Sequence, residues 1–244
     1  MQTAYTYVHG DATKVYNRPS IWTPTNSALD VQNASRSLLW IKPDRLVIYD
    51  RARTSHTGLD KHLAFGMLAL PTITQSASGP MATEVTPKGQ RLFVQSLLPT
   101  GATMKSGALG TSISAVAQLE SAVGRLVVQD TMGAADTCFL TILEGADASK
   151  TAADRAVLVK STAGTAFDGA ILNDQNAVMF VHDPSATFTS TTYTVPNSVT
   201  THYVCGLAPL AGYSVTKTVT TGGVQVTITL GGTATTDNGG VLVF

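Results

Sequence analysis

Short apolar runs broken by turn residues dominate this chain. Ser37-Leu38-Leu39-Trp40-Ile41 and Arg45-Leu46-Val47-Ile48-Tyr49-Asp50 flank Lys42-Pro43-Asp44. Pro cannot pair inside a central strand and Pro-Asp suits a tight turn, so this segment predicts a hairpin. Arg91 to Leu98 predicts a further strand, closed by Pro99-Thr100-Gly101. Strands are also predicted over 124–129, 136–143, 156–160, 177–182 and 191–196. Gly223 to Leu230 alternates Val/Ile/Leu with Gln/Thr, the period of a half-buried strand, and Gly239 to Phe244 brings in a last one. No window of helical length carries an apolar stripe, although Ala146 to Arg155 leaves room for a turn or two of helix. Strands at roughly ten-residue spacing with Gly, Pro, Asn and Asp between them predict an all-β chain. The expected architecture is a single antiparallel two-sheet sandwich over residues 1–244.

Composition narrows the function classes. The chain has 244 residues, of which 43% are hydrophobic and 13% charged, with Lys+Arg and Asp+Glu both at 16 and a net charge of zero. A nucleic-acid binder driven by bulk charge carries a basic excess, so nucleic acid is not an expected partner. No run approaches the roughly 18 apolar residues of a membrane helix, and Met1-Gln2-Thr3 starts no signal-peptide pattern, so no membrane association is expected. Charge is uneven, however. Residues 1–125 hold 12 Lys/Arg against 7 Asp/Glu, a net of +5, and residues 126–244 hold 4 against 9, a net of −5. A basic first half favours an anionic ligand such as an acidic polysaccharide; neutralisation of one half by the other within a shared fold explains the split equally well.

Candidate chemistry is sparse. Cys138 and Cys205 lie in strand-like runs without ligand spacing, and read as buried free thiols more readily than as a disulfide. The five histidines show no i,i+4 pair and no HExxH, and neither a Gly-x-Ser-x-Gly elbow nor a P-loop is present. No metal and no cofactor are expected. Tyr5, Tyr7 and His9 share one strand face beside Asp11 and Lys14, the densest polar-aromatic cluster in the chain. Aromatic faces stack on sugars, so a glycan contact is one reading and a packed sheet edge the other. Arg51, Arg53 and Lys61 form a second candidate, a carboxylate-binding rim, because arginine offers a planar fork to a uronate. The alternative there is an Asp50–Arg51 pair that ties down a strand end.

Several segments resemble the C-terminal β-sandwich of heparinase II/III-like polysaccharide lyases. Tyr5-Thr6-Tyr7-Val8-His9-Gly10-Asp11-Ala12-Thr13 is similar to an aromatic-rich YxYxxGDxT segment. Ser35 to Asp44 followed by Leu46 to Arg51 resembles a strand ending in Asp-Arg after a Pro-containing turn. Arg91 to Pro99 is similar to a GRLFxQxLLP strand, and Gly206-Leu207-Ala208-Pro209 and Gly239 to Phe244 resemble the final strands. The resemblance implies a β-sandwich packed beside an α/α toroid in a secreted or periplasmic protein that cleaves acidic polysaccharide by β-elimination. In such lyases Tyr and His share the acid and base roles, and Asn, Arg or a cation neutralises the uronate. The toroid, which supplies most of the catalytic residues, has no counterpart in this sequence. Asp50 matches the aspartate of the family's metal site, but a histidine ligand falls near Gly66, so that site is not expected to form. Three functions follow as expectations: an accessory module that binds or positions acidic polysaccharide; part of a composite lyase site completed by a helical domain; or a self-assembling structural protein whose sheet edge pairs with another copy.

Overall fold

The structure is a computed structural model that describes residues 4–17, 30–76, 79–108 and 122–244. The all-β class read from the sequence holds. The strands are β1 (Tyr5–Asp11), β2 (Val31–Ile41), β3 (Arg45–Thr54), β4 (His62–Met67), β5 (Thr72–Ser76), β6 (Gly79–Val85), β7 (Arg91–Leu98), β8 (Thr103–Ala108), β9 (Gly124–Gln129) and β10 (Asp136–Ala146). They continue as β11 (Ala156–Lys160), β12 (Ala163–Gly164), β13 (Phe167–Leu172), β14 (Asn176–Val181), β15 (Ser190–Val195), β16 (Thr201–Cys205), β17 (Gly212–Thr220), β18 (Gly223–Leu230), β19 (Ala234–Thr235) and β20 (Val241–Val243). The one helix among the described residues, α1 (Thr13–Tyr16), is a single turn begun where Asp11 Oδ1 accepts the Thr13 amide at 2.8 Å.

One sandwich is expected, but the contacts divide the chain into two compact units, Met1–Ala153 and Asp154–Phe244. The strand rhythm hides this division because it runs on across the junction. Residues 147–155, where a helical turn has room, form an irregular connection instead. Arg91 Nε donates to the Ala148 carbonyl there, and Lys150 pairs with Glu144.

The first unit stacks a seven-stranded antiparallel sheet, ordered β1-β2-β3-β10-β7-β6-β5, with a three-stranded sheet ordered β4-β9-β8. Leu63, Met67, Met104, Leu126 and Val128 from the small sheet pack on Ala82, Val94 and Phe139 of the large one. Among the described residues this core draws on β3, β10, β7, β6 and β5 but on nothing in β1 or β2. Those two strands therefore project past the small sheet as a shelf. The expected hairpin is present, with Ile41 opposite Arg45 and Trp40 opposite Leu46.

The second unit stacks two five-stranded sheets, β11-β13-β14-β16-β20 and β12-β15-β18-β17-β19. Its core joins Phe167, Ile171, Met179 and Val204 to Tyr193, Tyr213, Val226 and Ile228. One pair departs from the antiparallel expectation: β14 and β16 run parallel. The intervening β15 lies in the opposite sheet, so the chain re-enters the first sheet in the same direction. Between β17 and β18 the hairpin needs Gly223 at φ +127°, where an added Cβ would meet the Val195 carbonyl. Cys138 and Cys205 are buried and unlinked.

His202, buried on β16, sits against Phe244 with ring centroids 4.6 Å apart and accepts or donates a 3.0 Å hydrogen bond with Tyr193. Burial, helped by the Lys217 ammonium, pushes its pKa down to about 4. Depression below the unfolded value makes this a contribution present above pH 6.5 and lost as pH falls toward 4. Urea titrations are expected to show the second unit weakening by roughly 3 kcal/mol across that window, and His202→Gln should flatten the slope. In the first unit, Leu126→Ala should cost about 2–5 kcal/mol in the same measurement, because Leu126 is fully buried between the sheets.

Candidate functional site

β2 divides its side chains sharply between two faces. Ser35, Ser37 and Leu39 are buried, and Arg36, Leu38 and Trp40 alternate with them on the face that carries the shelf. Each face organises a different set of polar groups.

On the buried face the two sequence-predicted clusters meet. Register places His9, Ser37 and Tyr49 in one row across β1, β2 and β3, and Asp11, Ser35, Arg51 and Cys138 in the next. The Ser37 hydroxyl is their common partner. It accepts from Arg51 NH1 at 3.0 Å, lies 3.1 Å from His9 Nδ1, and accepts a longer 3.5 Å bond from the Tyr7 hydroxyl. The Arg51 guanidinium also lies over the Tyr49 ring at 4.6 Å. Burial, and then the Arg51 charge, lower the His9 pKa, while Asp11 opposes them. Burial also lowers the Arg51 pKa, against the pull of Tyr49, Cys138, Tyr7 and Asp50. Tyr5 stands further along the same strand, opposite Ile41.

On the other face a groove of about 650 Å³ runs where the shelf meets the small sheet. Arg36, Asp50, Arg51, Arg53, Lys61 and His62 border it. All three cations of the expected rim thus reach one groove, but their charged heads are engaged. Arg51 turns to Ser37, Arg53 donates twice to Asp136 Oδ2 at 2.9 and 3.1 Å, and the buried Lys61 ammonium donates to the Leu59 and Ala134 carbonyls. Asp50 does not pair with Arg51 as its neighbour; alternation sends the two to opposite faces, and Arg36 Nε donates to Asp50 Oδ1 at 2.6 Å instead. Asp50 Oδ2 is buried with no hydrogen-bond partner among the described residues, and burial raises the Asp50 pKa against the opposing pull of Arg36. Arg36 spends only Nε on that bond, so its terminal amino groups face the groove free among the described residues. Reading the sequence by charge alone passes over Arg36, Ser37 and Trp40. The signal was the serines at 35 and 37, polar residues on the buried parity of a strand, which force Arg36 and Trp40 outward.

These are the features of an all-β protein of stacked antiparallel sheets with a charged groove. No family model matches the sequence, and no curated protein matches it. Among solved structures the chain is similar to the heparan sulfate lyase HepC from Pedobacter heparinus, at 17% identity and a TM-score of 0.44 over 61% of this chain and 23% of that one. It is likewise similar to a heparinase III gene product, at 13% identity and a TM-score of 0.48 over 70% of this chain and 25% of that one. This chain spans about a quarter of the length of each of them.

Two substitutions test this geometry. Ser37→Ala removes the shared hydroxyl from beneath Arg51 and His9 and is expected to cost about 1–3 kcal/mol in urea unfolding. Arg36→Ala leaves Asp50 without its cation, so the Asp50 pKa rises further. A carboxyl raised in the folded state stabilises at low pH and loses that contribution as pH rises through its folded value. The stability loss of Arg36→Ala should accordingly be smaller at pH 4 than at pH 7.

Proposed function

We propose that this chain is a non-catalytic β module of a secreted or periplasmic lyase-like protein, and that its groove binds and positions an acidic polysaccharide. The observation that carries the reading is Arg36. Its guanidinium is fixed through Nε by Asp50 and, among the described residues, presents a free pair of amino groups, the fork that matches a carboxylate or sulfate. Arg53 is the second recruitable cation, because its pair with Asp136 is about 39% exposed and so worth little. Arg51 and Lys61 hold the walls of the groove, whereas Tyr5, Tyr7 and His9 lie on the opposite face of the edge strand and take no part in it. Among the described residues no helix is long and apolar enough to cross a membrane.

The Ser37 cluster favours a second reading, a composite lyase site completed by a helical toroid domain. It gathers a tyrosine, a neutral histidine and an arginine, the groups a β-elimination needs. His9 would take the C5 proton of a uronic acid, Tyr7 would protonate the departing 4-linked oxygen, and Arg51 would neutralise the carboxylate. Lyase activity that appears on adding a helical partner domain and vanishes in His9→Ala would bring this reading to the front.

Titration calorimetry with heparan sulfate and chondroitin sulfate fragments tests the first reading. Binding is expected to weaken as salt rises, and Arg36→Lys, which keeps the charge and loses the fork, should weaken it about tenfold. Wild-type protein that retains no acidic glycan at low salt would sink the proposal.

A further inference from the structure

The shelf carries a second aromatic and cationic feature beyond the groove. Arg36, Leu38 and Trp40 share the outward parity of β2, with Val8 beside them on β1. Arg36 and Trp40 lie four positions apart on the strand, a span of about 13 Å, the length of a short oligosaccharide. Nothing in the core between the sheets covers β1 or β2 among the described residues, and Trp40 is 43% and Val8 53% exposed.

Trp40 is an ordered platform rather than a loose side chain. Its indole Nε1 donates to the Pro43 carbonyl at 3.2 Å, which fixes the plane of the ring. Lys42 Nζ stands 5.5 Å from the ring centroid. A flat apolar ring held in place, with a flexible lysine over its face that can swing aside to meet an anionic group, offers a stacking surface and a charge to one sugar.

We infer that Trp40 and Lys42 form a sugar subsite on the shelf, which takes a pyranose ring bearing a carboxylate or sulfate from the same chain that Arg36 holds in the groove. The pyranose face stacks on the indole while its anionic substituent meets the Lys42 ammonium. This rests on the polysaccharide reading of the groove and adds to it a length requirement: ligands too short to span both places gain nothing from Trp40. A second copy of the chain is the competing occupant of an exposed shelf, but the cation at the ring and the run of surface into the Arg36 groove match a polyanion better than a like-charged copy of the same face.

The test compares heparan sulfate disaccharide and hexasaccharide on the full chain, by titration calorimetry, for wild type, Trp40→Ala, Trp40→Phe and Lys42→Ala. Trp40→Ala is expected to weaken the hexasaccharide about tenfold and leave the disaccharide unchanged, with Trp40→Phe in between; Lys42→Ala should weaken the hexasaccharide and reduce its salt dependence. Far-ultraviolet circular dichroism and thermal melting establish that each variant is folded. Wild-type binding that is equally strong in Trp40→Ala for both lengths overturns the subsite and leaves the groove reading standing. Absence of wild-type binding to either length overturns both. Sedimentation that shows an oligomer dissolved by Trp40→Ala, without glycan affinity, assigns the shelf to self-association and overturns the subsite.

Discussion

The turn at Lys42–Asp44 joins β2 to β3, and the arrangement of polar groups on both faces of these strands depends on their register. With Ile41 opposite Arg45, the serines of β2 lie beneath Arg51 and Tyr49, and Arg36 lies beside Asp50. A slip by one residue would exchange the two faces of the strand. It would bury an arginine and a tryptophan and set two hydroxyls in water. The apolar residues Leu39 and Val47, both fully buried, oppose that slip with their own burial. Hydrophobic pairing therefore fixes the position of the polar groups on both faces.

The two faces then use arginine in opposite ways. Arg51 is buried, fixed by a hydroxyl and stacked on an aromatic ring, so it serves as a structural cation in a sheet. Arg36 is anchored at one edge of its guanidinium and open at the other. The anchor holds the long side chain in one place, so an anion meeting Arg36 would cost it little further side-chain entropy. Asp50 bears the cost, with one oxygen buried and unbonded among the described residues.

Much of the fold was legible in the chain. The hairpin of β2 and β3, the strands β7, β9, β10, β11 and β18, and the absence of long helices all follow from period-two patterning and turn residues. Other elements were not legible for definite reasons. Strands such as Phe167-Asp168-Gly169-Ala170-Ile171-Leu172 are buried on both faces and do not alternate. The division at residue 153 is hidden by a strand rhythm that runs on across it. Of the candidate site, the clusters at Tyr7–His9 and Arg51–Arg53 were visible as local concentrations of polar side chains. Their meeting at Ser37 was not, since it depends on pairing between residues some thirty and fourteen positions apart. Arg36 and Trp40 were in view but lacked a neighbour in sequence that would mark them.

The parallel pairing of β14 with β16 carries a consequence for how the chain is made. Because β15 crosses to the opposite sheet, neither sheet of the second unit is a continuous stretch of sequence. No hairpin built early can close off either layer. The edge of one sheet waits for β20, whose partner β16 is synthesised some thirty-five residues before it. The first sheet of the second unit is thus assembled from contacts distant in sequence, and loop-closure entropy makes such pairing slow to form.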